Sequence, residues 1–111
     1  MAANRGKGLE RDFKILCDLA SSKAGFSYHR FPDAMSGSFA VAPADFLIEN
    51  EGVTTLVECK ETQYPGRIPY QNFRPDQVAR MNKWKQAGMR SKVVIHHAKE
   101  RVYRLIDIDF Y

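Results

Sequence analysis

Two apolar runs separated by three residues constrain this chain most. "ADFLIE" (44–49) and "VTTLVECK" (53–60) are rich in aliphatic and β-branched residues, and "NEG" (50–52) stands between them. Strands joined by so short a link form an antiparallel hairpin, with Gly52 free to take positive φ. With the turn centred between Glu51 and Gly52, Asp45 faces Glu58, and their Cβ atoms lie roughly 4.5–5.5 Å apart. Lys60, two residues further on, shares the face of Glu58. A turn of odd length would shift the pairing by one residue and separate the three.

Like charges directly opposite one another destabilise a sheet. A divalent cation with oxygen ligands removes that repulsion. Mg²⁺ takes one or two carboxylates together with waters and phosphate oxygens. The backbone carbonyl of Cys59 is a further candidate ligand, its side chain turning to the other face. Each feature also has an ordinary explanation. Glu58 and Lys60 read as an ion pair at a strand end, and Asp45 as a turn residue after Pro43. A second carboxylate-x-Lys pattern, Asp12-Phe13-Lys14, falls on a helix by chance. The conjunction of an opening Asp, a tight turn and a closing Glu-x-Lys is what points to metal-dependent hydrolysis.

The remaining elements follow from periodicity. Over residues 8–24, Leu9, Phe13, Leu16, Cys17 and Ala20 recur at helical spacing, and Gly25 stops the helix. "FSYHRF" (26–31) alternates as a strand, and the small-residue stretch 32–43 reads as a loop or arm. After an irregular segment broken by prolines and Gly66, Pro75 opens a second helix that runs to about Ala87, with Gly88 beyond it. "SKVVIHH" and "RVYRLIDI" close the chain as strands. The predicted order is helix, three strands, helix, two strands: a mixed α/β sheet flanked by helices, in a single domain over residues 1–111.

Lys plus Arg number 17 and Asp plus Glu 13, a net charge of +4 that permits a polyanionic partner. No apolar run approaches the roughly 18 residues of a membrane span, and the first residues lack a secretory apolar stretch. The expectation is a cytoplasmic protein, of a bacterial cell or a virus-infected one, with no membrane partner. Cys17 and Cys59 match neither zinc nor CxxC spacing and are expected reduced and buried. His96 and His97 point to opposite faces of a strand and make no ligand set with His29. The absence of a Walker loop or dinucleotide fingerprint predicts no small-molecule cofactor.

Beyond these residues the chain resembles a known family. "PADFLI…LVECK" is similar to the PD-(D/E)xK nuclease signature, and the element order to its restriction-endonuclease-like αβββαβ core. More narrowly, "NRGKGLE" (4–10), "ADFLI" (44–48), "ECKET" (58–62) and "PYQNFRPDQVARM" (69–81) resemble, in order, the RecU-type Holliday junction resolvases. The resemblance implies a homodimer that cuts four-way DNA junctions with Mg²⁺ or Mn²⁺. Asp45 and Glu58 would be metal ligands, and Lys60 would position or activate water. Glu10 would complete the site from the first helix, and Gln77 would act from the second. The stretch corresponding to the family's junction-entering stalk, around 33–41, is shorter and contains glycine. That leaves two alternatives: a related nuclease acting on flaps, nicks or linear DNA, and a non-catalytic DNA-binding module of the same fold.

Independent reading of the other residues keeps two options for each. Glu10 lies at the edge of the first helix's apolar stripe, as a site residue or a solvated one. Gln77 projects within the apolar face of the second helix, either toward the acidic cluster or as a local helix cap. Arg5, Lys7, Arg67, Arg74 and Arg80 are candidate phosphate contacts, with Lys83 and Lys85 as further basic positions. Tyr64, Tyr70, Gln71, Asn72 and Phe73 surround Arg67 and Arg74 in the irregular segment. Its aromatics either stack on unpaired bases or pin the loop to the core.

Overall fold

A computed structural model describes residues 7–32, 42–63 and 74–110. In chain order the elements are α1 (Lys7–Ala20), β1 (Phe26–Arg30), β2 (Phe46–Asn50), β3 (Val53–Thr62), α2 (Pro75–Gln86), β4 (Arg90–His97) and β5 (Val102–Asp107), followed by a 3-10 turn at Ile108–Phe110. The strands form one sheet in the order β1-β2-β3-β4-β5. β3 and β4 run parallel across the α2 connection, and the other three pairs are antiparallel. The fold is the expected mixed α/β sheet with helices on it. No helix among the described residues is long and apolar enough to cross a membrane.

The hairpin has the expected register: Phe46 pairs with Val57 and Asn50 with Val53. Glu51 and Gly52 both take positive φ, 51° and 84°, the pattern of a two-residue I′ turn. Glu51 donates its N–H to the Gly25 carbonyl at 2.8 Å, which anchors the turn against the end of the α1–β1 connection. β2 starts at Phe46 rather than at Ala44. Pro43 has no N–H for a ladder, and the Asp45 carboxylate is itself engaged with the next strand.

α1 ends at Ala20, four residues short of the expected end. Ser21 and Ser22 turn their hydroxyls back onto the Cys17 and Leu19 carbonyls, at 2.8 and 2.9 Å. These side chains compete for the carbonyls that further helical turns would need. Leu16 also departs from expectation. It shares the helical spacing of the apolar set yet is 62% exposed, because the helix packs through Leu9, Phe13 and Cys17.

Alternation along β3 divides the core into two layers. Leu56 faces α2 and packs with Ala44, Met81, Val93, Ile95 and Ile108. Val57 and Cys59 face α1 and pack with Leu9, Phe46 and Val94. Phe13 stands edge-on to Phe46, ring centroids 4.8 Å apart. Beyond Leu56, the α2 face of β3 continues with Glu58, Lys60 and Thr62, so the apolar layer gives way to polar groups toward the C-terminal end of the strand.

Candidate active site

Asp45 sits in the residue before β2, where the hairpin register places it across from Glu58. Its backbone carbonyl accepts from Phe31 at 2.9 Å, continuing the β1–β2 pairing. Its Oδ2 accepts the Cys59 N–H at 2.8 Å, so the carboxylate takes the place of a ladder carbonyl. Cys59 is therefore fixed through its backbone, while its side chain is buried on the α1 face. Burial, together with the negative charge of Asp45, pushes the Cys59 thiol well above its ordinary value, and burial pushes Cys17 to about 11. Both thiols are free.

Glu58 is 3% exposed. Lys60 Nζ lies 3.3 Å from its Oε2, and the Gln77 amide donates to the same oxygen at 2.5 Å. Gln77 reaches it from the first turn of α2, which Pro75 starts without a side-chain cap. This settles the two options for Gln77: its side chain crosses to the strand rather than closing its own helix. The other carboxylate oxygen, Glu58 Oε1, is buried without a partner among the described residues, as is Gln77 Oε1.

Burial, then the charge of Glu58, raises the Asp45 carboxyl to about 7, against the lowering pull of the Cys59 N–H and Lys60. Glu58 is raised as well, by burial, and Lys60 and Gln77 only partly offset it. The two acids thus share one small volume in which each is harder to ionise than a free carboxyl. An oxygen-ligated divalent cation fits this donor set: two carboxylates, one of which keeps a buried oxygen that has no partner among the described residues.

Glu10 approaches the sheet from α1. It is 8% exposed on the α1 face, with Arg30 Nη2 3.4 Å from its Oε1. Arg30 in turn stacks over the Phe46 ring, 5.9 Å from its centroid. Among the described residues no three His, Cys, Asp or Glu side chains converge as a metal cluster, while the charge of Glu10 reaches the Cys59 thiol and helps to raise it. The sequence reading did not single out Arg30. Pairing β1 onto β2 puts Arg30 opposite Phe46, and that register was the signal available.

Of the expected DNA contacts, Arg74 is exposed and 3.9 Å from Asp76. Arg80 pairs with Asp76 at 3.3 Å and keeps a buried Nε that has no partner among the described residues. Arg5, Arg67, Tyr70, Gln71, Asn72 and the side chain of Lys7 lie outside the described residues, as do Tyr64, Phe73 and the arm 33–41. Lys85 is committed to Asp107 at 2.6 Å and to Asp109, tying α2 to the end of β5. His96 and His97 do point apart. His97 is 1% exposed, and His96 stacks on Tyr103 with Nδ1 3.1 Å from Glu61.

No family model and no curated protein matches the sequence. Among solved structures the fold is similar to that of Hjc, a Holliday junction resolvase from the archaeal hyperthermophile Archaeoglobus fulgidus. The TM-score is 0.62 at 20% identity, over 94% of this chain and 78% of that one. The likeness establishes the architecture: a five-stranded mixed sheet with two helices, similar to a resolvase fold.

Proposed function

We propose that this protein is a metal-dependent endonuclease that cuts four-way DNA junctions, in the manner of the RecU-type resolvases its motifs resemble. The observation that carries the reading is the Asp45–Glu58 pair with Lys60 alongside and one glutamate oxygen left without a partner among the described residues. The resolvase-like architecture supports the same reading.

Asp45 and Glu58 would hold Mg²⁺ or Mn²⁺, with the Cys59 carbonyl as a backbone ligand and Glu10 available from the first helix. When bound, the cation would polarise the scissile phosphate and acidify a water. Gln77 donates to Glu58 Oε2 and so fixes the rotamer in which the buried Oε1 has no partner among the described residues. The Cys59 N–H likewise fixes the Asp45 rotamer. Lys60 keeps its ammonium beside Glu58, where it can orient the attacking water and offset charge on the phosphate. Arg74, just before the helix that carries Gln77, and Arg80, midway along it, would take neighbouring phosphates. Symmetric cutting of a junction needs two such sites, which calls for a two-fold homodimer.

The test is cleavage of synthetic four-way junctions, flaps, nicked and linear duplexes by wild type, Asp45→Asn and Lys60→Met, in Mg²⁺ and in EDTA. Expected is junction cleavage by the wild type in Mg²⁺ alone. A wild type that cuts no DNA, or variants that cut as fast as it does, refutes the enzyme. Equal cutting of every substrate refutes junction selectivity.

A further inference from the structure

The end of the sheet that carries the acid pair also carries a turn that the pair does not use. β3 and β4 run parallel, so both finish at the side where Glu58 and Lys60 stand. β4 then reverses into β5 through Ala98, Lys99, Glu100 and Arg101, with His97 and Val102 as register partners on either side. The Ala98 N–H donates to the Thr62 carbonyl at 2.9 Å, which fastens the turn to the last residue of β3. Ile95 is the register partner of Lys60, and Lys99 lies four residues beyond it. At about 3.3 Å per residue the turn stands on the order of 13 Å past Lys60. Arg74, the residue before α2, is at this same end, because Gln77 in the first turn of that helix reaches Glu58.

Lys99 and Arg101 are exposed, and neither forms an ion pair among the described residues. Glu100 between them is the one acid of the turn and has an interaction of its own. Two solvated cations on a hairpin are ordinary by themselves. The backbone at Arg101 is not. Its φ is 54°, in the left-handed region, where a bulky side chain is disfavoured and glycine fits freely. Among the described residues the only other non-glycine with positive φ is Glu51, and Gly52 shares its turn. The β4–β5 connection contains no glycine. The fold thus keeps an arginine where stability alone favours glycine, in a turn tied to the catalytic strand.

We propose that the β4–β5 turn is a second phosphate-binding point, where Lys99 and Arg101 hold a duplex arm of DNA whose scissile phosphate lies at the acid pair. Duplex DNA carries one charge per about 1.7 Å of its axis, so an arm leaving the acid pair across β4 brings several phosphates past the turn. The choice of DNA rests on the proposed junction cleavage; the position of the surface rests on the Ala98–Thr62 tie and the strained arginine.

Fluorescence anisotropy of a labelled four-way junction in EDTA, over a range of salt concentrations, tests this. The proteins are wild type, Lys99→Gln, Arg101→Gly, the double variant Lys99→Gln/Arg101→Gly, and Arg90→Gln. Arg90 opens β4 at the opposite end of the sheet, so its loss reports the effect of net charge alone. Circular dichroism checks folding, which Arg101→Gly keeps because glycine adopts this backbone without strain. Each turn variant should weaken binding about fourfold at about 0.1 M salt. Each should also lower the slope of log affinity against log salt by about 0.9, and the double variant by about 1.8. Arg90→Gln should stay within about 0.3 of the wild-type slope. A double variant with the wild-type slope overturns the inference. So does a control that lowers the slope as much as the turn variants, or a wild type that binds no junction. Cleavage in Mg²⁺ is scored separately. Cutting with an unchanged slope removes the turn and leaves the nuclease standing; a lowered slope without cutting keeps the surface and removes the nuclease.

Discussion

Replacing Asp45 by asparagine should make the metal-free protein more stable while removing its proposed activity. The Asp45 carboxyl is raised from 3.8 to about 7, first by burial and then by Glu58. Above both values, the ionised group costs the native state on the order of 4 kcal/mol relative to an exposed carboxylate. Glu58 and Lys60 share the same volume, and Lys60 still neutralises part of what remains. A gain of about 2 kcal/mol is therefore the expectation at pH 8. Asparagine preserves the acceptor for the Cys59 N–H, and its amide nitrogen can donate toward Glu58 Oε1, which has no partner among the described residues. The sign follows from the direction of the shift. Because the native value lies above the unfolded one, wild type binds the extra proton when folded, and its stability falls as pH rises from about 4 to about 7. The variant lacks this loss. In EDTA at pH 8 its Tm should be higher by about 8 °C, and near pH 4 the two proteins should melt together. Mg²⁺ should raise the wild-type Tm and narrow the gap. A variant less stable at pH 8, or a difference equal at both pH values, refutes the account of the acid pair as an electrostatic strain.

Two further outcomes are expected. Gln77→Ala removes the amide that holds Glu58 Oε2 at 2.5 Å and should slow single-turnover junction cleavage by about 10- to 100-fold; an unchanged rate removes Gln77 from the site. Phe46→Ala empties a position with 0% exposure against Phe13 and should cost about 3–5 kcal/mol in urea unfolding, with a smaller loss showing that the layer under α1 collapses to fill the space.

The hairpin was legible because its turn chemistry and its pattern agree. Glu51-Gly52 accepts two positive φ values, and only one register leaves Phe46, Val57 and Cys59 together on a buried face. Opposing Asp45 to Glu58 follows from that register without further information. Gln77 was half legible. Periodicity placed it within the apolar face, but its approach to Glu58 depends on how α2 lies across β3 and β4, which no local pattern encodes. Glu10 shows the limit more sharply. Its helical phase was read correctly as the edge of the buried stripe, yet its partner, Arg30, belongs to a strand 20 residues on, reached only through the sheet. The end of α1 was missed for a local reason: the Ser21 and Ser22 hydroxyls terminate a pattern that apolar spacing alone would extend.

The acid pair stands where the fold offers partial relief and no more. The Cys59 N–H, the Gln77 amide and the Lys60 ammonium all donate to or flank it, and the first turn of α2 presents the positive end of its dipole nearby. These groups hold two carboxylates in fixed rotamers at the end of β3. Yet both acids still favour the protonated state more than free carboxyls do. A core built only for stability would have closed this shortfall with a second basic residue or replaced one acid by an amide, as asparagine at position 45 would do. The unmet need for positive charge is the driving force on which the proposed cation binding would rest, and the hydrogen bonds that fix both carboxylates would keep that force from being spent on side-chain rearrangement.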